Sequence, residues 1–334
     1  SHTETVDVPS FWTKGLVRNT DTSTDYYKIQ YAIDNASAGD TLNIWAWTYY
    51  ENIEIDEKLT IIGNASANTI INGTWSGMVV KITSSEVTLR NLKLVTGSNV
   101  TSTPVLSIDA NEALIESVIV KYGKRGIDVR SGGNDARIFN TTVQNIDENA
   151  LTIQSASSNA IVYKSTFSHS RDGIFLEFGH YPAKIIDCSI HNNTNNGFKS
   201  ASYGSIIRDN NIADNNGWGI WLDGDETDRP DTLLINNTVL RNDDGIFLYR
   251  QDANLFSNTI NDNERYGISI DISFGIYLWN NTVTSNDESD IILTTNSDPV
   301  YAIGTTFSTI SVDSTSSLII KSYLDLDVND ASGN

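Results

Sequence analysis

Five short segments of this chain place rings and charges at matching positions: 173–177 (GIFLE), 197–201 (GFKSA), 219–223 (GIWLD), 245–249 (GIFLY) and 267–271 (GISID). Their third residues include Phe175, Lys199, Trp221 and Phe247, and their fifth residues include Glu177, Asp223, Tyr249 and Asp271. Aromatic faces flanked by carboxylates and an ammonium suit sugars, which present C–H faces to stack on and hydroxyls to bond. Rings exposed in rows also call for a reason, because contiguous apolar surface tends to mark a binding site. The opposing reading is that loops 178–183 and 224–232 close over the rings and make a satellite core.

A second chemistry is available to two of these carboxylates. If the segments are strands stacked about 4.8 Å apart, Glu177 and Asp223 sit two coils from each other, about 9.6 Å between backbones. Inverting glycosidases hold their carboxyls about 6.5–9.5 Å apart, so the spacing admits a hydrolase. Lys199 would lie between them and favour both ionised forms, whereas a general acid needs a raised pKa. A lyase acting on a polyuronate would need a cation to neutralise an anionic polymer on an anionic protein. Asp225, Glu226 and Asp228, beside Asp223, offer oxygen ligands for Ca²⁺, although their spacing is not that of an EF-hand and a solvated loop is the plainer reading.

These positions are set by a repeat. The segment that opens as Gly126-Ile127-Asp128-Val129-Arg130 returns every 22 to 26 residues as far as 290–294. Its second residues read Ile127, Leu151, Ile174, Phe198, Ile220, Ile246, Ile268 and Ile291; its fourth read Val129, Ile153, Leu176, Ser200, Leu222, Leu248, Ile270 and Leu293. Alternate residues of a strand face opposite sides, so two apolar columns predict a buried face in every coil and outward third and fifth residues. Ser200 is the lapse, and Phe198 beside it has the bulk to fill the space. A further anchor column runs Ile119, Val143, Phe167, Ile190, Ile212, Val239, Ile260, Val283 and Phe307. No helical period appears within the unit, which excludes ankyrin-type and leucine-rich solenoids. The expectation is an all-β protein, a parallel β-helix of three-strand coils, right-handed by the usual chirality of such connections.

Four segments are expected: a polar leader over 1–24, an N-terminal cap and first coil over 25–78, the coils over 79–311, and an exit strand over 312–334 leading toward a further domain. Tyr27, Ile29, Ala32, Ile33 and Ala36 have helical spacing and predict a short capping helix, which the open end of a solenoid needs. A net charge of −20 and a pI near 4.4 argue against nucleic acid, whose phosphates require clustered Lys and Arg. No run of about 18 apolar residues spans a membrane. Cys188 is the single cysteine, so no internal disulfide forms and the redox compartment is unreadable. Eight glycosylation sequons occur, but Asn140, Asn236 and Asn280 fall at one corner of separate coils, where Asn suits turn geometry.

The residues Ile29-Gln30-x-Ala32-Ile33, Gly39-Asp40-Thr41, Tyr50-Glu51-Asn52-Ile53, Leu59-Thr60-Ile61-Ile62-Gly63 and Ile71-Asn72-Gly73, followed by the coils, resemble the pectate-lyase-like right-handed β-helix superfamily, in particular its carbohydrate-binding and sugar-hydrolase branch of secreted and surface proteins. The likeness covers roughly 27–311 and is specific for fold, not activity. Trp47 departs from it, standing where the pattern usually has glycine. Asp243-Asp244-Gly245 matches half of a hydrolase signature, but the next coil has Arg265-Tyr266-Gly267 without the His; Tyr122-Gly123 lacks the rest of an epimerase signature. His169, His180 and His191 show no metal-ligand spacing. Three functions follow: an extracellular or cell-surface module of a larger multidomain protein that binds polysaccharide on the first-sheet face; a hydrolase or lyase using Glu177 and Asp223, with or without Ca²⁺; or a stalk without ligand.

Overall fold

The structure, a computed structural model, describes residues 15–74, 77–96, 103–155, 157–179, 182–224 and 231–322. Asp225, Glu226, Asp228 and His180 therefore lie outside the described residues. Backbone contacts divide the chain into two compact units, 1–170 and 171–334.

In the first unit each coil has three short parallel strands, one in each of three sheets. The first sheet carries Ile53–Ile55, Val80–Ile82, Pro104–Ile108, Arg125–Val129 and Asn149–Ile153, with Val80, Leu106, Ile127 and Leu151 in one register. Leu106, Ile127, Val129, Leu151 and Ile153 point into the lumen and are buried, which is the inside column the alternation predicts. The helix Ile29–Asp34 caps this unit and buries Ile29, Ala32 and Ile33. Its first N–H groups would be orphaned at a buried end. Glu51, far along the chain, satisfies them: Ile29 and Gln30 N–H each donate to its carboxylate at 3.0 Å.

Three expectations need correcting here. Val17–Asn19, expected within the polar leader, and Thr24–Tyr26, at its junction with the cap, are strands, and Val17–Asn19 pairs antiparallel with Thr41–Ile44. Asp128 and Thr152, expected outside as third residues, are buried. Arg125 reaches the Asp128 carboxylate at 2.8 Å and covers it, so a charge pair is folded down where a wet side chain was expected. The anchor column also starts one residue late: Val120 pairs with Val143 and is buried, while Ile119 faces outward beside Thr142.

The second unit repeats the plan. Its first-sheet strands are Asp172–Gly179, Phe198–Ser202, Trp218–Asp223, Asp244–Tyr249, Tyr266–Asp271, Ser289–Thr294 and Ile310–Val312. Ser200 is buried beside Phe198, and its hydroxyl is satisfied locally by accepting from Ser202 N–H at 3.0 Å and facing Ser202 O at 3.3 Å. Leu318–Lys321, expected to leave the coil, instead pairs parallel with Val300–Ile303, Val300 against Leu318.

Two asparagine columns close the corners of this unit from inside. Asn210, Asn237, Asn258 and Asn281 pass amide hydrogen bonds from coil to coil at 2.9, 3.0 and 3.0 Å. Asn193, Asn215, Asn242, Asn263 and Asn286 do the same at 2.9, 2.8, 3.2 and 2.9 Å. Each amide also bonds backbone, as Asn237 does to Ile207 O at 2.8 Å, so the sharp turn leaves no polar group of the corner dry and unpaired. The preceding sequon residues Asn236 and Asn280 have φ of 52° and 54°, the left-handed turn geometry the sequence suggested.

Candidate functional site

The outward residues of the first sheet in the second unit form the candidate site. Their register is direct: Phe175 opposes Lys199, Lys199 opposes Trp221, Trp221 opposes Phe247, and Phe247 opposes Ser269. In the neighbouring outward column Asp223 opposes Tyr249 and Tyr249 opposes Asp271. All of these side chains except Ser269 are half-buried, neither swallowed by the lumen nor fully wet. Parallel pairing one coil apart is the reason residues 22 to 26 apart in sequence become neighbours.

The rings meet as a row. Phe247 stacks against Tyr249 with centroids 6.1 Å apart and planes 22° off parallel, and Trp221 sets an edge to Phe247 at 5.9 Å. Trp218, which the repeat reading passed over, stacks on Phe247 at 4.8 Å and 24°. A 4.8 Å centroid separation exceeds the closest approach of two ring faces, so the pair is offset and leaves part of a face uncovered. Trp218 was legible as the residue before the Gly of its strand, a position whose direction the alternation rule leaves undecided because the strand enters there from a corner. Trp221 Nε1–H is buried and has no hydrogen-bond acceptor among the described residues.

Lys199 is placed against rings. Its Nζ stands over the Trp221 ring at 4.3 Å and over Phe175 at 5.8 Å, a cation held by ring faces. Arg250 lies over Tyr249 at 5.0 Å in the same manner. Glu177 has no paired partner in the ladder toward Asp223. The strand Asp172–Gly179 shifts register between Leu176 and Gly179, and that irregularity contains Glu177. The paired ladder thus brings together Phe175, Lys199, Trp221, Phe247, Tyr249, Asp223 and Asp271, and leaves Glu177 out.

One carboxylate at the edge of the row was missed. Asp244 opposes Trp218 in register, and its side chain is fully buried. Burial pushes its carboxyl up to about 6, the charge of Asp243 adds to the rise, and the Arg265 guanidinium pulls the other way. Arg265 bridges the pair, bonding Asp243 at 3.2 Å and Asp244 directly. The half-matched Asp243-Asp244-Gly245 signature was the sequence signal. Among the described residues no group of three His, Cys, Asp or Glu side chains is placed to hold a metal ion, and no helix is long and apolar enough to cross a membrane.

The geometry has solved counterparts. The Dettilon tailspike protein superposes with a TM-score of 0.71 at 15% identity, over 88% of this chain and 66% of that one. The Agl-KA catalytic domain gives 0.67 at 14% identity, over 84% and 62%. The chain thus spans just under two thirds of the length of both. A mannuronic acid specific polysaccharide family 6 lyase from human gut microbiota gives 0.64 at 12% identity, over 86% and 78%. At such identities the likeness is one of fold. No curated protein matches the sequence. The family model described as "Right handed beta helix region" matches residues 104–228 and 204–307, more than half of the chain, and with the parallel three-strand coils in place the protein belongs to the right-handed β-helix family.

Proposed function

We propose that the chain is an extracellular or cell-surface module of a larger protein that binds a polysaccharide along the first-sheet face of its second unit. The observation that carries this reading is the half-exposed aromatic row Trp218, Phe247 and Tyr249 with Trp221 at its side, offset so that ring surface is left for C–H contact. Asp223 and Asp271 flank the row to bond hydroxyls. Similar structures support a glycan as the ligand class: a mannuronic acid specific polysaccharide lyase and the mannuronan C-5 epimerase A-modules of Azotobacter vinelandii. Binding is favoured here over a hydrolase or lyase using Glu177 and Asp223, because Glu177 lies in the register shift and Lys199 stands over ring faces.

Affinity electrophoresis through gels loaded with single polysaccharides tests the proposal. The wild-type chain is retarded by at least one, and Trp221→Ala and Tyr249→Ala each weaken that retardation about tenfold, the equivalent of about 1.4 kcal/mol. Equal retardation of wild type and both variants in every gel ends the reading.

A further inference from the structure

The turn between Thr41–Ile44 and Trp47–Tyr50 in the first unit holds a second feature with ligand chemistry. A groove of about 380 Å³ opens there, lined by Asn43, Trp45, Ile62, Asn64 and Asn91 among others. That volume falls within the range of about 300–1,000 Å³ typical of small-molecule sites. No lining side chain is charged. Trp45 is 43% exposed, a large ring left wet on a structured surface. The side-chain amides of Asn43, Asn64 and Asn91 make no hydrogen bond to any described residue, although each stands on ordered backbone: Asn64 N–H donates to Ile44 O at 2.9 Å and Asn91 N–H to Glu116 O at 3.2 Å. The same residue type elsewhere in the fold spends its amide on corner ladders, so three free amides around one ring stand apart.

The backbone of Trp45 is held in place beforehand. Its N–H donates to Leu16 O at 2.9 Å, and the buried Tyr49 hydroxyl reaches both Leu16 O at 2.9 Å and Trp45 O at 3.1 Å. Burial raises the Tyr49 hydroxyl above its ordinary range, so it remains a neutral hydrogen-bonding group at every physiological pH. These bonds fix the main chain that carries the ring, so little backbone freedom is lost when something packs on it.

We infer that this groove is a binding site for a neutral sugar residue, with the Trp45 ring against a C–H face and the amides of Asn43, Asn64 and Asn91 on the hydroxyls. Each amide offers two donors and an acceptor, the pattern that matches adjacent hydroxyls, and the uncharged lining gives no counter-charge to a uronate or phosphate. The site belongs to the first unit and does not depend on the aromatic row of the second.

Isothermal titration of the full chain with neutral hexasaccharides (cello-, xylo-, manno- and malto-) tests it, with hexauronate as the charged probe. At least one neutral hexasaccharide binds the wild type, and Trp45→Ala and Asn64→Ala weaken that binding about tenfold and about fivefold, while Trp221→Ala leaves this component in place. Asn64→Asp, which keeps size while adding charge, covers the case in which Trp45→Ala disturbs the turn; it should weaken neutral binding with an unchanged thermal melt. Binding unaffected by Trp45→Ala, Asn64→Ala and Asn64→Asp overturns the inference, and so does a wild type that binds only the hexauronate or none of the sugars. Loss on Trp221→Ala alone would remove the groove and leave the row in the second unit standing.

Discussion

The two units close the same corner with different chemistry. In residues 1–170 the inward corner column reads Leu92, Val118, Thr141 and Ser165, all buried; the hydroxyls of Thr141 and Ser165 donate locally to Phe139 O and Tyr163 O at 2.9 and 3.0 Å, and Thr141 N–H links coil to coil by donating to Ser165 Oγ at 3.2 Å. In residues 171–334 the column becomes Cys188, whose backbone N–H donates to Asn210 Oδ1, then Asn210, Asn237, Asn258 and Asn281, joined side-chain amide to side-chain amide. Their outward first-sheet columns differ as well. Ser107, Asp128 and Thr152 are small or folded down in the first unit, whereas Phe175, Lys199, Trp221 and Phe247 stand half-exposed in the second. The lumen is aliphatic in both. What a coil requires is the inside pair of apolar residues; the corner has two workable solutions, and the outer column is free for function.

The largest effect that would sharpen this contrast is at the corners. Asn237→Ala strands Ile207 O and the amides of Asn210 and Asn258 in a buried site, and costs about 3 kcal/mol. Thr141→Ala, whose hydroxyl donates only to Phe139 O at 2.9 Å, costs about 1 kcal/mol. Urea midpoints of the two variants measure both, and equal losses would dissolve the distinction between corner types.

Next is a pH effect confined to the second unit. Because the folded Asp244 carboxyl is raised to about 6 from 3.8, its contribution is fully present below pH 3.8 and is lost as pH rises through about 6. Stability should therefore fall between pH 4 and 6 by about 2 kcal/mol relative to Asp244→Asn, which has no carboxyl to titrate. Denaturation curves of both proteins at several pH values check this; parallel pH profiles would remove Asp244 as the source.

The smallest effect tests the register in the first unit. Val120→Ala removes two buried methyl groups and costs about 1.5 kcal/mol, while the outward Ile119→Ala costs less than about 0.5 kcal/mol. Thermal melts compare the two, and the reverse order would restore Ile119 to the anchor column.

Much of this architecture was readable from residue types. The Ile and Leu columns from Ile127 to Leu293 carry a strict two-residue alternation with a coil-length return, and burial followed them even at Ser200. Single departures were not readable where the backbone changes phase. Glu177 left the ladder because its strand shifts register, and Ile119 was misplaced because both it and Val120 are β-branched and apolar, so the column looks the same one residue early. Trp218 and Asp244 sit at the entry of their strands, where a corner sets side-chain direction and no alternation reports it. The Trp45 groove was hidden because its three asparagines come from three separate coils.

The chain alone determined that an aliphatic lumen must form and that its coils repeat at a set length, because the hydrophobic effect acts on every inward position and a strand has only two faces. Tertiary structure decided which polar side chains are spent inside, as in the asparagine columns and the Arg125–Asp128 pair, and which rings remain available to a partner. Those choices depend on contacts between coils some two dozen residues apart, where a shift of one residue turns a side chain to the other face.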